Sequence, residues 1–142
     1  MTDCVFCDII NEPGDNATLV TELEHSVILL NFNQADYPGQ VIVAYKGHVE
    51  DLIELPKNLR DAFNDEVMSV AAAIRDLYDA DRINYCNLGN AEPHTHWHII
   101  PRQKGDKNAG GPPAFTPDAQ IEKLSDHEYR AIAAKIRCAL RP

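Results

Sequence analysis

Between Pro56 and about Asp79, apolar side chains return at three- and four-residue intervals: Leu59, Phe63, Val67, Val70, Ala71, Ile74 and Leu77, with charged residues between them. That spacing predicts one long amphipathic helix, and a single apolar stripe requires another layer to cover it. Pro56 suits the first turn, where a missing N–H costs nothing. The flanking segments supply the second layer. "TLVTELEHSVILLNF" reads as two strands with a tight connection near Glu24 and His25, and "QVIVAY" is a β-branched run typical of a buried strand. "RINYCNLG" and "HTHWHIIP" read as two more strands after the helix. "CVFCDIINE" is short and amphipathic and stops at the turn "PGDN". "QKGDKNAGGPPAFTPDAQ", rich in Gly and Pro, reads as mobile. Ser125 and Glu128 stand at capping-box spacing and open a last helix running to about Leu140. Strands, a long helix, strands and a tail helix predict an α+β domain with an antiparallel sheet, one face covered by the long helix.

The chain has 142 residues, enough for one domain with a real core. Its 22 acidic against 13 basic residues, a formal charge of −9, argue against a nucleic-acid polymer as partner. A small phosphorylated ligand needs only a few local donors and stays open. Cys4, Cys7, Cys86 and Cys138 are too sparse for a secreted disulfide framework. "MTDCVFCDII" lacks a basic, then apolar, leader pattern, and no run reaches membrane-spanning length. A cytoplasmic setting, with no membrane partner, is the expectation.

"EPHTHWHIIPR" carries the chemistry. His94, His96 and His98 fall within five positions. Along a strand, alternate side chains share a face, so the three imidazoles would line one side about 7 Å apart, with Thr95, Trp97 and Ile99 on the other. Packing does not ask for such a row. Two readings fit it. The row binds a transition metal directly, or one neutral ring is a nucleophile while its neighbours handle protons and phosphate oxygens. Cys4 and Cys7 form a C-x-x-C pair without a thioredoxin-like context; as half of a zinc site they need two more ligands.

"HTHWHII" fits H-x-H-x-H-x-x with apolar residues between, and here the chain resembles the histidine triad (HIT) superfamily. "CVFCDII" resembles the opening C-x-F-C-x-I-I of many members, and "YPGQVIVAYKGHVEDLIEL" their P-G-h-x-x-V-x-x-K-x-H-x-x-x-L segment. The blocks cover roughly residues 4 to 102. "INYCNLGN" leading into "PHTHWHIIPR" is most similar to bacterial members described as diadenosine tetraphosphate hydrolase-like. The resemblance implies a five-stranded antiparallel sheet and a homodimer with a continuous sheet. It places the HIT domain at residues 1–104, followed by a C-terminal extension, 105–142, whose loop and helix pack on the domain or the partner. It further implies a nucleotide hydrolase or transferase. The substrate would be a purine nucleotide or dinucleotide: a dinucleoside polyphosphate or a nucleoside phosphoramidate. His96 would attack the α-phosphorus and form a covalent nucleotidyl-histidine, His98 would bind phosphate and support the leaving group, and His94 would assist. Alternatives are a nucleotide-binding protein with little turnover, or a histidine-metal enzyme.

Some bacterial members carry a structural zinc, and the resemblance transfers its ligands to Cys4, Cys7, His48 and His94. Four N/S ligands close a tetrahedral shell, so no catalytic metal is expected. The departure lies between Asn87 and His94, where "LGNAEP" replaces a longer loop ending in G-Q-[S/T]-V. Asn87 and Asn90 are expected to fill part of its phosphate-binding role, and Glu92 to face solvent. Asn31, with Asn33 as the alternative, matches the residue that binds ribose hydroxyls, an amide offering both donor and acceptor. Arg102 could attract phosphate or be a solvated strand-end residue.

Overall fold

The computed structural model describes residues 2–140. The order is α1 (Val5–Asn11), β1 (Leu19–Glu22), β2 (Ser26–Leu30), β3 (Val41–Tyr45), α2 (Lys57–Leu77), β4 (Arg82–Cys86), β5 (His96–Arg102) and α3 (Asp126–Leu140). The strands form one antiparallel sheet in the order β1-β2-β3-β5-β4. The expected α+β fold, with five antiparallel strands, one long helix on a face and a C-terminal helix, is the one observed.

Alternation along β2 and β3 explains the layering. Ile28, Leu30, Val41 and Val43 meet Phe63, Val67, Val70 and Ile74 of α2 in the main core, joined by Tyr129, Ala133 and Ile136 of α3. Val27, Leu29 and Ala44 point the other way and pack with Cys4 and Phe6 beneath α1. All five residues of β2 are buried, because helices cover both of its faces. α2 starts at Lys57 and not at Pro56: Pro56 keeps an extended ψ of 149° and serves as the cap. The capping box of α3 forms, with Ser125 Oγ accepting from Glu128 N–H at 3.2 Å and Glu128 Oε1 from Ser125 N–H at 3.2 Å. β4 pairs with β5 alone, and its outer edge is open among the described residues. No helix among the described residues is long and apolar enough to cross a membrane.

Two expectations need correction. The Gly- and Pro-rich segment after β5 is pinned by hydrogen bonds. Its turns use left-handed backbone at Gly105, Asn108 and Gly110 (φ 73°, 56° and 81°), conformations these residue types tolerate. Arg102 holds it and is neither solvated nor free for phosphate. Its side chain is buried, forked onto Asp106 at 2.8 and 2.9 Å, and donates to Asn84 Oδ1 and to the carbonyls of Lys107, Asn108 and Gly111. The guanidinium also lies 5.1 Å from the centre of the Tyr37 ring. A guanidinium spread over Asp106, Asn84 and three loop carbonyls organises that loop better than solvent would.

Candidate active site and metal cluster

β5 begins at His96, and His94 stands two residues before it. His96 and His98 share the face that looks toward α1, opposite Ala44 and Ile42 of β3, with ring centres 5.1 Å apart. Trp97 and Ile99 point into the main core. His94 lies on the same α1 side, its ring centre 5.4 Å from that of Phe6. It stands just before β5, and its fully buried ring has partners of its own. Its Nε2–H donates to the Tyr45 carbonyl at 2.7 Å, which leaves the lone pair on Nδ1.

That Nδ1 faces Cys4 Sγ at 3.3 Å, Cys7 Sγ at 3.6 Å and His48 Nδ1 at 3.2 Å, and Cys7 Sγ lies 3.2 Å from His48 Nδ1. The four donor atoms all lie within 4.8 Å of one another. A tetrahedral divalent ion with bonds of about 2.3 Å to sulfur and about 2.05 Å to nitrogen would set S···N near ~3.6 Å and N···N near ~3.3 Å. The observed spacings fit. The charge pattern fits too. Burial pushes the Cys7 thiol up to about 11, and Cys4, Asp8 and Glu92 add to the shift. A thiolate there is unfavourable until a cation sits among the ligands. The cluster can therefore hold a metal ion.

His96 depends on the same residue through the backbone. Its Nδ1–H donates to the His94 carbonyl at 2.6 Å, which fixes the tautomer and puts the lone pair on Nε2. Burial holds its pKa below the usual imidazole value, so the ring is neutral near pH 7. Phe6 packs over it with centroids 4.6 Å apart, leaving the residue 6% exposed. Nε2 forms no hydrogen bond among the described residues. In His98, burial lowers the pKa to about 4. Its Nδ1 is sealed without a partner. An orphaned acceptor is tolerated better than an orphaned N–H, so the proton belongs on Nε2, as a donor toward the adjoining cavity.

That cavity, of about 500 Å³, opens beside His98 between α1, β2, β3 and the segment after β5. Asn31 lines it. Its Oδ1 accepts from Asn33 N–H at 2.8 Å, while Nδ2 has no partner among the described residues. Asn33 spends its side chain on Asp36. Asn87 and Asn90 do not line the cavity: Asn87 donates to Thr95 Oγ1 at 3.1 Å, and Asn90 is exposed. Glu92, expected to face solvent, turns back to α1 and accepts from Val5 N–H at 3.1 Å. Two residues escaped the sequence reading. Phe6 sits between Cys4 and Cys7, so the C-x-F-C spacing did signal it. Phe115 is a lone aromatic in a Gly- and Pro-rich run, and nothing local marked it. Co(II) added to the reduced protein is expected to give a sulfur-to-cobalt absorption band. Cys7→Ser should weaken that band and His96→Gly should leave it; the reverse pattern would place the metal on the triad.

The HIT domain family model matches residues 13–105. The protein hit of Bacillus subtilis is 35% identical over 111 residues, covering 73% of this chain and 74% of that one. Adenylylsulfatase HINT3 of Arabidopsis thaliana is 33% identical over 110 residues, covering 73% of this chain and 54% of its own length. The structure of a Zn-bound histidine triad family protein from Mycobacterium smegmatis superposes with a TM-score of 0.69 at 25% identity, over 97% of this chain and 93% of that one. A fold, a histidine arrangement and a family match that agree lead to one statement: the chain belongs to the HIT domain family.

Proposed function

We propose that the chain is a nucleotide hydrolase or transferase that works through a covalent nucleotidyl-histidine on His96. The observation that carries the reading is the neutral His96 ring, its Nδ1–H bound to the His94 carbonyl and its Nε2 lone pair free beside His98. The Nε2 lone pair attacks the α-phosphorus of a nucleoside monophosphate conjugate. A P–N bond forms, and the bond to the leaving group breaks with its electron pair. The ring becomes cationic, and the hydrogen bond to the His94 carbonyl then strengthens. His98 Nε2–H donates a hydrogen bond to a phosphate oxygen, and the departing group takes its proton from solvent. Water then attacks phosphorus and loses a proton to solvent, the P–N pair returns to Nε2, and the monophosphate leaves. Asn31 Nδ2, on the cavity wall, is available to a ribose hydroxyl.

In this reading the His94 side chain does not touch substrate. Zinc is the ion the Cys4, Cys7, His48 and His94 set suits best, and in a closed shell it supplies rigidity. The relative named as an adenylylsulfatase supports an adenylyl conjugate as substrate. A dinucleoside polyphosphate and a nucleoside phosphoramidate are both compatible with the site. Phe6 over His96, with no Ser, Thr or Gln loop before His94, favours a second reading, nucleotide binding with little turnover.

Incubation with an adenylated conjugate labelled at the α-phosphorus, followed by a quench, separates these readings. An acid-labile, base-stable protein adduct is expected. In His96→Gly the adduct should vanish and turnover should fall on the order of 10³-fold or more, while His25→Gly, far from the site, should label normally. Equal labelling of the two variants would refute His96 as nucleophile; tight binding without label would favour the second reading. A homodimer with a continuous sheet is part of the same proposal, supported by the open edge of β4 and its exposed Tyr85. Sedimentation equilibrium is expected to return twice the chain mass, and Tyr85→Lys should shift it toward the monomer; a monomer at all concentrations would exclude the pairing.

A further inference from the structure

Besides α1 and the sheet, the cavity beside His98 has a further wall. After β5 the chain turns at Gly105–Gly111 and crosses back over the cavity mouth, so that Ala114, Phe115, Thr116, Asp118 and Ile121 line it. All of these lie beyond residue 105, where the match to the family model ends. Two anchors hold this strap. The Tyr37 hydroxyl donates to the Lys107 carbonyl at 2.7 Å and accepts from Ala114 N–H at 2.8 Å. Asp36 Oδ2 accepts from Thr116 Oγ1, Asn33 Nδ2 and Lys107 Nζ, and these bonds hold the carboxyl below its usual range.

Between those anchors stands Phe115. Its ring centre lies 5.4 Å from that of His98, edge to face, and the residue remains 51% exposed. A half-exposed aromatic on a pinned loop contributes little to the core, yet it presents a ring face at the cavity mouth. The charge of the lining says what that end can accept. Among the described residues Asp118 is its only charged side chain, with no Lys or Arg. An anionic phosphate is disfavoured beside Asp118 and belongs at the His98 end, whereas a flat, uncharged ring fits the apolar end.

We propose that the strap is a specificity wall supplied from outside the family domain, and that Phe115 stacks on the base of a nucleotide whose phosphate lies at His98. The proposal rests on the nucleotide reading given above. It deepens that reading, because discrimination for a base-bearing substrate is then set by residues 114–121 as well as by the sheet.

Calorimetric titration with AMP and with ribose 5-phosphate, which lacks the base, tests it on the full chain. Phe115→Ala should weaken AMP by roughly tenfold or more and leave ribose 5-phosphate unchanged, since stacking acts on the base alone. Phe115→Trp should keep AMP near the wild-type affinity. Phe115 is half exposed, so its truncation should leave the fold intact, and circular dichroism of each variant checks this. An equal loss for both ligands would overturn the proposal, because Phe115 would then act only by positioning His98. AMP binding untouched in Phe115→Ala would overturn it as well. Wild-type protein that binds neither ligand would remove the nucleotide reading and this inference together, whereas wild-type AMP binding with an indifferent Phe115→Ala would remove this inference alone.

Discussion

The site turns on one imidazole held from three sides. His94 gives its Nε2–H to Tyr45, turns Nδ1 to two thiols and a second imidazole, and lends its carbonyl to His96. Each contact fixes something the others need. The Tyr45 bond selects the tautomer that can ligate a metal, and the ligands hold the His94 backbone. The carbonyl of that backbone then selects the tautomer of His96. The cluster that can hold a metal and the neutral His96 ring are thus joined by two residues of chain.

Much of this architecture could be read from residue patterns. The stripe from Leu59 to Leu77 and the alternation in β2 and β3 report burial, and burial is what periodicity encodes. The cluster of Cys4, Cys7, His48 and His94 followed from family resemblance, and those four side chains do converge. The partners of the His94 ring could not be read from spacing. A spacing of two predicts a shared side, and Phe6 packs on both His94 and His96, but the groups that meet the His94 ring come from α1 and from the chain after β3. The fate of Arg102 was hidden for a similar reason. Its partners, Asp106 and the carbonyls of Lys107, Asn108 and Gly111, become neighbours only when the loop folds back. Asn87 failed as a cavity residue because its amide is engaged by Thr95.

Phe6 shows how burial and chemistry are balanced. It lies on α1 between the two cysteines, so the cluster that fixes this short helix also fixes the ring over His96. Withdrawal from water keeps His96 uncharged, which a nucleophilic imidazole requires. The same cover narrows access to His96, and the cavity lies on its His98 side. A protein of net charge −9 draws no anion by its overall field; short-range donors must do that work locally.

Nitrogen-15 chemical shifts of the His96 ring probe the whole arrangement with no substrate present. Between pH 6 and 8 the account requires a protonated Nδ1 and a bare Nε2, with Nδ1–H shielded from exchange by the His94 carbonyl. A ring carrying its proton on Nε2, or one charged across that range, would contradict it.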